Sequence, residues 1–184
     1  MTPSELAANL ERLERELPGE LRRLLTATAL SAEAKAKVNA TTSPKVRSGR
    51  LRASITGSVE QVAGDFAIVL RAGTRDGGAV AYARIQEEGG TIRPKRGRFL
   101  KIPVGPALTG AGVARLPPGR AGKQLRFVPT SKGGLLIAAD GQVWYVLRPQ
   151  VTIPARPYLA PALRAVEPQL QTRLDSLIRD SVTR

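Results

Sequence analysis

The sequence predicts an α+β fold, a mostly antiparallel sheet flanked by a long kinked N-terminal helix and a C-terminal helix, with long basic loops between strands. Three observations carry that prediction. Leucines recur at three- and four-residue spacing near both ends, short apolar or alternating runs fill the middle, and Asp140-Gly141 separates two of those runs with the residue pair that favours a tight hairpin. A chain of 184 residues supports one well-buried core, so a single domain is expected over 1–184. It divides into a helical part over 1–40, strands and long loops over 41–156, and a closing helix over 157–184.

The first helix is read from Leu6, Leu10, Leu13, Leu17, Leu21, Leu24 and Leu25, with Ser4 and Glu5 supplying its start. Pro18-Gly19 interrupts the pattern, and a kink or short break is expected there, with Pro18 opening the second segment. From Glu20 to Asn39 the small residues Ala27, Ala29, Ala32, Ala34 and Ala36 suit close packing against a sheet. The leucine stripe reads as core, and the first segment is the part expected to reach a neighbour. Thr41 to Arg50, with Pro44 and Gly49, reads as loop. Leu51–Val59 and Asp65–Arg71 read as strands, and a loop through Gly73, Gly77 and Gly78 leads to about two helical turns over Val80–Glu88. Arg98–Val104 is the next strand. Gly105–Gln124 has no periodicity and reads as a long loop or projecting arm, ordered only in an assembly. Leu125–Pro129, Leu135–Ala139 and Gln142–Arg148 complete the strands. The last helix starts at Pro157 or soon after and runs to about Val182, with Pro168 kinking it or starting a new segment.

Composition removes whole classes of chemistry. Cysteine is absent, which excludes disulfides, thiolate metal sites and cysteine nucleophiles, and histidine is absent, which removes the commonest general acid/base and transition-metal ligand. No enzyme, cofactor or metal is expected. Glu5, Glu11, Glu14 and Glu16 interrupt every apolar run near the start, so no signal peptide is expected there. No stretch approaches the roughly 20 apolar residues that span a bilayer, so a soluble protein with no membrane partner is expected.

The net charge of +14 is unevenly distributed. Between Gly89 and Val166 one acid, Asp140, faces thirteen lysines and arginines, among them Arg93, Lys95, Arg96, Arg98, Arg115, Arg120 and Lys123. These are the candidate partner- or DNA-facing residues; solvated loops kept soluble by their charge are the alternative reading. Aromatic residues for stacking on bases are scarce, and no basic recognition helix or zinc-finger spacing is present.

Other motifs resolve into structure. Gly110-Ala111-Gly112 lacks the Lys-Ser or Lys-Thr and the strand-to-helix frame of a phosphate cradle, and Ser131-Lys132 is a surface pair rather than a catalytic dyad. Glu87 and Glu88 are expected to pair with nearby arginines. Three stretches remain: Ser48 to Ile55, containing Gly49, Leu51, Ser54 and Ile55; Tyr82-Ala83 through Glu87 to Gly89-Gly90; and Pro154 to Leu159, containing Arg156, Pro157, Tyr158 and Leu159. Glycines there serve tight turns, Pro157 sets the first turn of the last helix, and Tyr158 and Leu159 anchor that helix on the sheet.

In that order the three stretches resemble tailed-phage virion morphogenesis proteins, the tail-completion and head-tail joining group that includes the Mu-like branch. The resemblance spans roughly Leu21 to Leu177. Glu88 stands where many members carry an aromatic, and Gly90 where they carry threonine; the Gly-Gly form is closer to the Mu-like branch. The resemblance implies a structural virion protein, folded in the host cytoplasm, that forms a homo-oligomeric ring of six subunits at the head-tail neck or proximal tail. Its implied partners are the neighbouring neck and tail rings, with the basic middle facing acidic proteins or DNA in the lumen. A tail terminator or minor tail protein of the same fold group, and a basic nucleic-acid-binding module, are the alternatives.

Overall fold

The computed structural model describes residues 3–42, 49–73, 82–115, 118–120 and 124–183. Its elements are α+β: a long first helix, antiparallel strands, and helices at the C-terminal end. The strands do not form one sheet. They make two two-stranded sheets and one of four strands, and the chain divides into two compact units, residues 1–83 with 157–184, and residues 84–156.

The first unit is built on α1 (Pro3–Thr42). Pro18 sits inside this helix and does not open a second segment. A proline deprives the carbonyl four residues earlier of its partner, and here both Glu14 and Pro18 are exposed, which leaves that carbonyl on the solvent side of the helix. Leu25, Thr28, Ala29, Ala32, Ala36 and Ala40 form one buried stripe at three- and four-residue spacing. Against it lies the hairpin of β1 (Thr56–Val62) and β2 (Asp65–Arg71), which meet in full antiparallel register from Thr56↔Arg71 to Val62↔Asp65. The two-residue turn Ala63-Gly64 has positive φ at both positions, 52° and 96°, the twist that suits a tight hairpin. Gly57 admits the approach of helix and hairpin: a Cβ there would fall 2.4 Å from the Ala29 carbonyl oxygen. Its N–H donates to Glu33 Oε2 at 2.8 Å, and Lys37 pairs with the same carboxylate. Those two donors, Lys37 first, hold the Glu33 carboxyl below the usual carboxylate range.

Leu51–Ala53, read from the sequence as the start of a strand, is instead a single helical turn, α2 (Arg50–Ala53). Leu51 and Ile55 are both buried, which a helical turn brings to one side and an alternating strand would also allow; burial pattern alone could not separate them. The closing helix is two segments, α4 (Ala160–Arg164) and α5 (Glu167–Thr183), and Pro168 falls in the first turn of the second. Pro157 does not set the first helical turn. That position belongs to Pro161, next to the start of α4. Both segments pack on α1, with α4 at its end near Asn39 and Ser181 of α5 beside Arg12 to Glu20, so α5 runs antiparallel to α1.

The second unit carries the four-stranded sheet in the order β4-β7-β6-β5, from β4 (Leu100–Pro103), β5 (Leu125–Thr130), β6 (Gly133–Ala138) and β7 (Val143–Arg148), every neighbour antiparallel. The expected turn at Asp140-Gly141 joins β6 to β7: Gly141 has φ +81°, and Asp140 Oδ1 accepts from the Gln142 N–H at 3.0 Å. Two short strands, β3 (Gly90–Ile92) and β8 (Val151–Ile153), pair with each other and were not legible at three residues each. Gly105–Arg115 is no loose arm. A 3-10 turn at Gly105–Ala107, the bridge Leu108↔Ala114 and the bond from the Arg115 N–H to the Ala107 carbonyl close it on itself. Pro44, Ser48, Gly77, Gly78 and Lys123 lie outside the described residues.

Candidate functional site

The three sequence stretches meet. Leu51 and Ile55 from the first, Ala83 from the second and Tyr158 from the third form one buried cluster with Ala162 of α4 and Ala36 and Ala40 of α1. Leu159, Leu70 and Ala72 pack at its margin. Tyr158 is fully buried; its hydroxyl donates to the Ala83 carbonyl at 3.3 Å, and its own carbonyl accepts from Asn39 Nδ2 at 3.2 Å. A buried phenol needs such a partner, and the alanines leave room for the ring. The expectation that Tyr158 and Leu159 dock on the sheet is therefore corrected: the ring seats among α1, α2 and α4, and β2 touches the cluster only through Leu70.

The turns at these stretches use glycine in two ways. Gly49 (φ +68°) starts α2 with open space around it, so its demand is conformational. Ser54 Oγ then donates to the Leu51 carbonyl at 2.8 Å and accepts from the Gly73 N–H at 3.1 Å. Gly89 (φ +72°) ends α3 (Ala83–Glu88), and a Cβ there would lie 2.6 Å from the Ala155 backbone nitrogen. Within the second unit Gly90 pairs with Ile153, and the Arg156 N–H donates to the Gln86 carbonyl at 2.8 Å. The second and third stretches are thus tied on both sides of the boundary between the units, each bond lying within its own unit. Tyr82, Arg156 and Pro157 are exposed, and Glu87 is half-buried. Glu88, of the acidic pair expected to meet arginines, pairs with Arg84 at 2.8 Å on the surface.

Among the described residues the basic candidates do not form one surface. Arg93, Lys95, Arg96 and Arg98 are all exposed on the turn between β3 and β4. Arg115 lies at the opposite end of the unit, its Nε donating to the Leu108 carbonyl at 2.9 Å beyond the far end of β4. Arg120 closes a 3-10 turn (Pro118–Arg120) and its side chain lies outside the described residues. Two residues counted among the thirteen but not chosen as candidates join the first four in space: Lys132, on the β5–β6 turn, and Arg148, at the end of β7, whose Nη1 reaches the Lys132 carbonyl at 3.5 Å. The antiparallel register could have found them, because Arg148 pairs with Leu100 at the start of β4.

Residues 4–89 match the family model described as "Bacteriophage HK97-gp10, putative tail-component". The chain is similar to phage tail components. The matched span, a little under half of the sequence, covers α1 through α3 and ends at the Gly89 turn, so the first stretch and all of the second but Gly90 fall within it and the Pro154–Leu159 stretch lies beyond it. No curated protein and no solved structure matches the chain. Among the described residues no helix is long and apolar enough to cross a membrane.

Proposed function

We propose that this chain is a non-enzymatic structural subunit of a tailed phage or phage-like particle, built into a ring at the head-tail neck or the head-proximal end of the tail. The tail-component match over residues 4–89 carries the reading. The buried convergence of the sequence stretches supports it, because those residues hold the fold and leave the outer surfaces free for neighbours. Six copies closed by heterologous contacts would make the ring, with both compact units acting as one subunit. The Gly89-Gly90 turn favours the Mu-like branch. Exposed Leu10, on the first turns of α1, is the natural contact to an adjacent subunit or ring.

The test is genetic and visual. Particles made without this chain are expected to accumulate unjoined heads and tails or to lose packaged DNA, and labelled subunits should appear at the neck by electron microscopy. Joined, DNA-filled particles in the absence of the chain would overturn the proposal. A label along the tail shaft or at its tip would do so too.

A further inference from the structure

We propose that one end of the unit formed by residues 84–156 is a binding surface for the phosphate backbone of duplex DNA. This goes beyond ring formation, and either can fail while the other stands.

Three turns make that end. The β3–β4 turn holds Arg93, Lys95, Arg96 and Arg98 within six residues, the β5–β6 turn holds Lys132, and the β7–β8 turn follows Arg148. Two contacts fasten the turns together: Arg93 Nε donates to Gln150 Oε1 at 3.2 Å, and Arg148 Nη1 reaches the Lys132 carbonyl at 3.5 Å. Five of the six cations are exposed and Arg148 is half-buried. Among the described residues the partners seen for the arginines are neutral ones, an amide, a carbonyl and, for Arg98, the ring of Phe99 at 5.8 Å. The acids of this unit are Glu87 and Glu88, across β3 from Arg93 with Glu88 paired to Arg84, and Asp140 on the β6–β7 turn, the length of a strand away, roughly 20 Å.

The chemistry favours a nucleic-acid backbone over a protein face. A protein interface centres on a desolvated aromatic or aliphatic anchor, and here Phe99 is covered by Arg98 and stacked against Phe127 of the same unit at 6.5 Å. Guanidinium groups match phosphate oxygens in pairs. Phe127 is 49 % exposed, but it stacks on Phe99 as a single pair rather than a run of rings, so the surface suits regularly spaced phosphates more than the reading of bases.

The experiment is a fluorescence-anisotropy titration of the full chain against a labelled 30-base-pair duplex over a series of salt concentrations. Each neutralised phosphate contributes a slope of about −0.9 in log K against log salt, so five contacts predict roughly −4.5. The variant Lys95→Gln/Arg96→Gln/Arg98→Gln should lower that slope by about 2.7 and weaken binding at 0.1 M salt on the order of 10²-fold. The control Arg15→Gln/Arg22→Gln/Arg23→Gln removes the same charge from exposed positions of α1, with folding checked by circular dichroism, and should change binding less than about threefold. Equal losses in the two variants would overturn the proposal by showing that net charge alone acts. Binding of polyglutamate as tightly as the duplex would overturn it in favour of an acidic protein.

Discussion

Tyr158 offers the sharpest test of the cluster. The ring is fully buried in a pocket of small side chains, so Tyr158→Ala removes its contacts and leaves a cavity that neighbouring alanines cannot fill; the expected cost is about 3–5 kcal/mol. Tyr158→Phe keeps the ring and deletes the 3.3 Å bond to the Ala83 carbonyl, a long bond whose loss costs about 1 kcal/mol. With a urea slope near 2 kcal/mol/M, the midpoints should fall by about 1.5–2.5 M and about 0.5 M respectively. Two probes separate the units. Far-UV circular dichroism is dominated by α1 and α5 of the first unit, while the one tryptophan, Trp144, lies in β7 of the second. The dichroism midpoint should fall in both variants, with the fluorescence midpoint the less affected. Equal costs for Phe and Ala would refute packing as the source of stability. A cost below about 1 kcal/mol for Ala, or a fluorescence shift that leads the dichroism, would refute the placement of the cluster in the first unit.

Gly49→Ala meets only the strain of a left-handed backbone and should cost about 1 kcal/mol, whereas Gly89→Ala adds a clash with the Ala155 backbone and should cost more than twice that, read respectively by dichroism and by Trp144 fluorescence. Similar values would show that the Gly89 approach is looser than described. The depressed Glu33 carboxyl stabilises the fold above the ordinary glutamate pKa of about 4.3, and that contribution disappears as pH falls through the lower folded value. Glu33→Gln should therefore cost about 1–2 kcal/mol at neutral pH and little in strong acid; a cost independent of pH would show that the charge is idle. Pro18→Ala restores one backbone bond in an uninterrupted helix and should raise stability by about 1–3 kcal/mol with no change of oligomeric state; a loss would mean that the proline shapes α1.

Legibility in the sequence followed the strength of local signals. The β2 strand and the β6–β7 hairpin were readable because Phe66 to Leu70 is a continuous apolar run and Asp140-Gly141 names its own turn. The helical turn at Arg50–Ala53 was not, since Leu51 and Ile55 satisfy both a helix and a strand, and tertiary burial decided between them. β3 and β8 are three residues each and exist only through each other. The stretches that carry the family resemblance could be picked out, yet their convergence on Tyr158 depended on Asn39, Ala36 and Ala40, which look like any helix interior. Charge counting found the basic turn at Arg93 to Arg98 and wrongly grouped it with Arg115, because proximity along a chain with reversing strands is not proximity in space.

The chain leaves its first unit after Ala83 and returns at Pro157, and the Tyr158 hydroxyl on the returning side bonds the Ala83 carbonyl on the departing side. An excursion whose two ends are stapled side by side is a cassette. Its length and charge can drift, shrink or be exchanged wholesale without re-laying the host core, so long as the staple survives. Related chains should accordingly vary most between these two points, and a short linker in place of residues 84–156 is the natural graft site for a foreign domain.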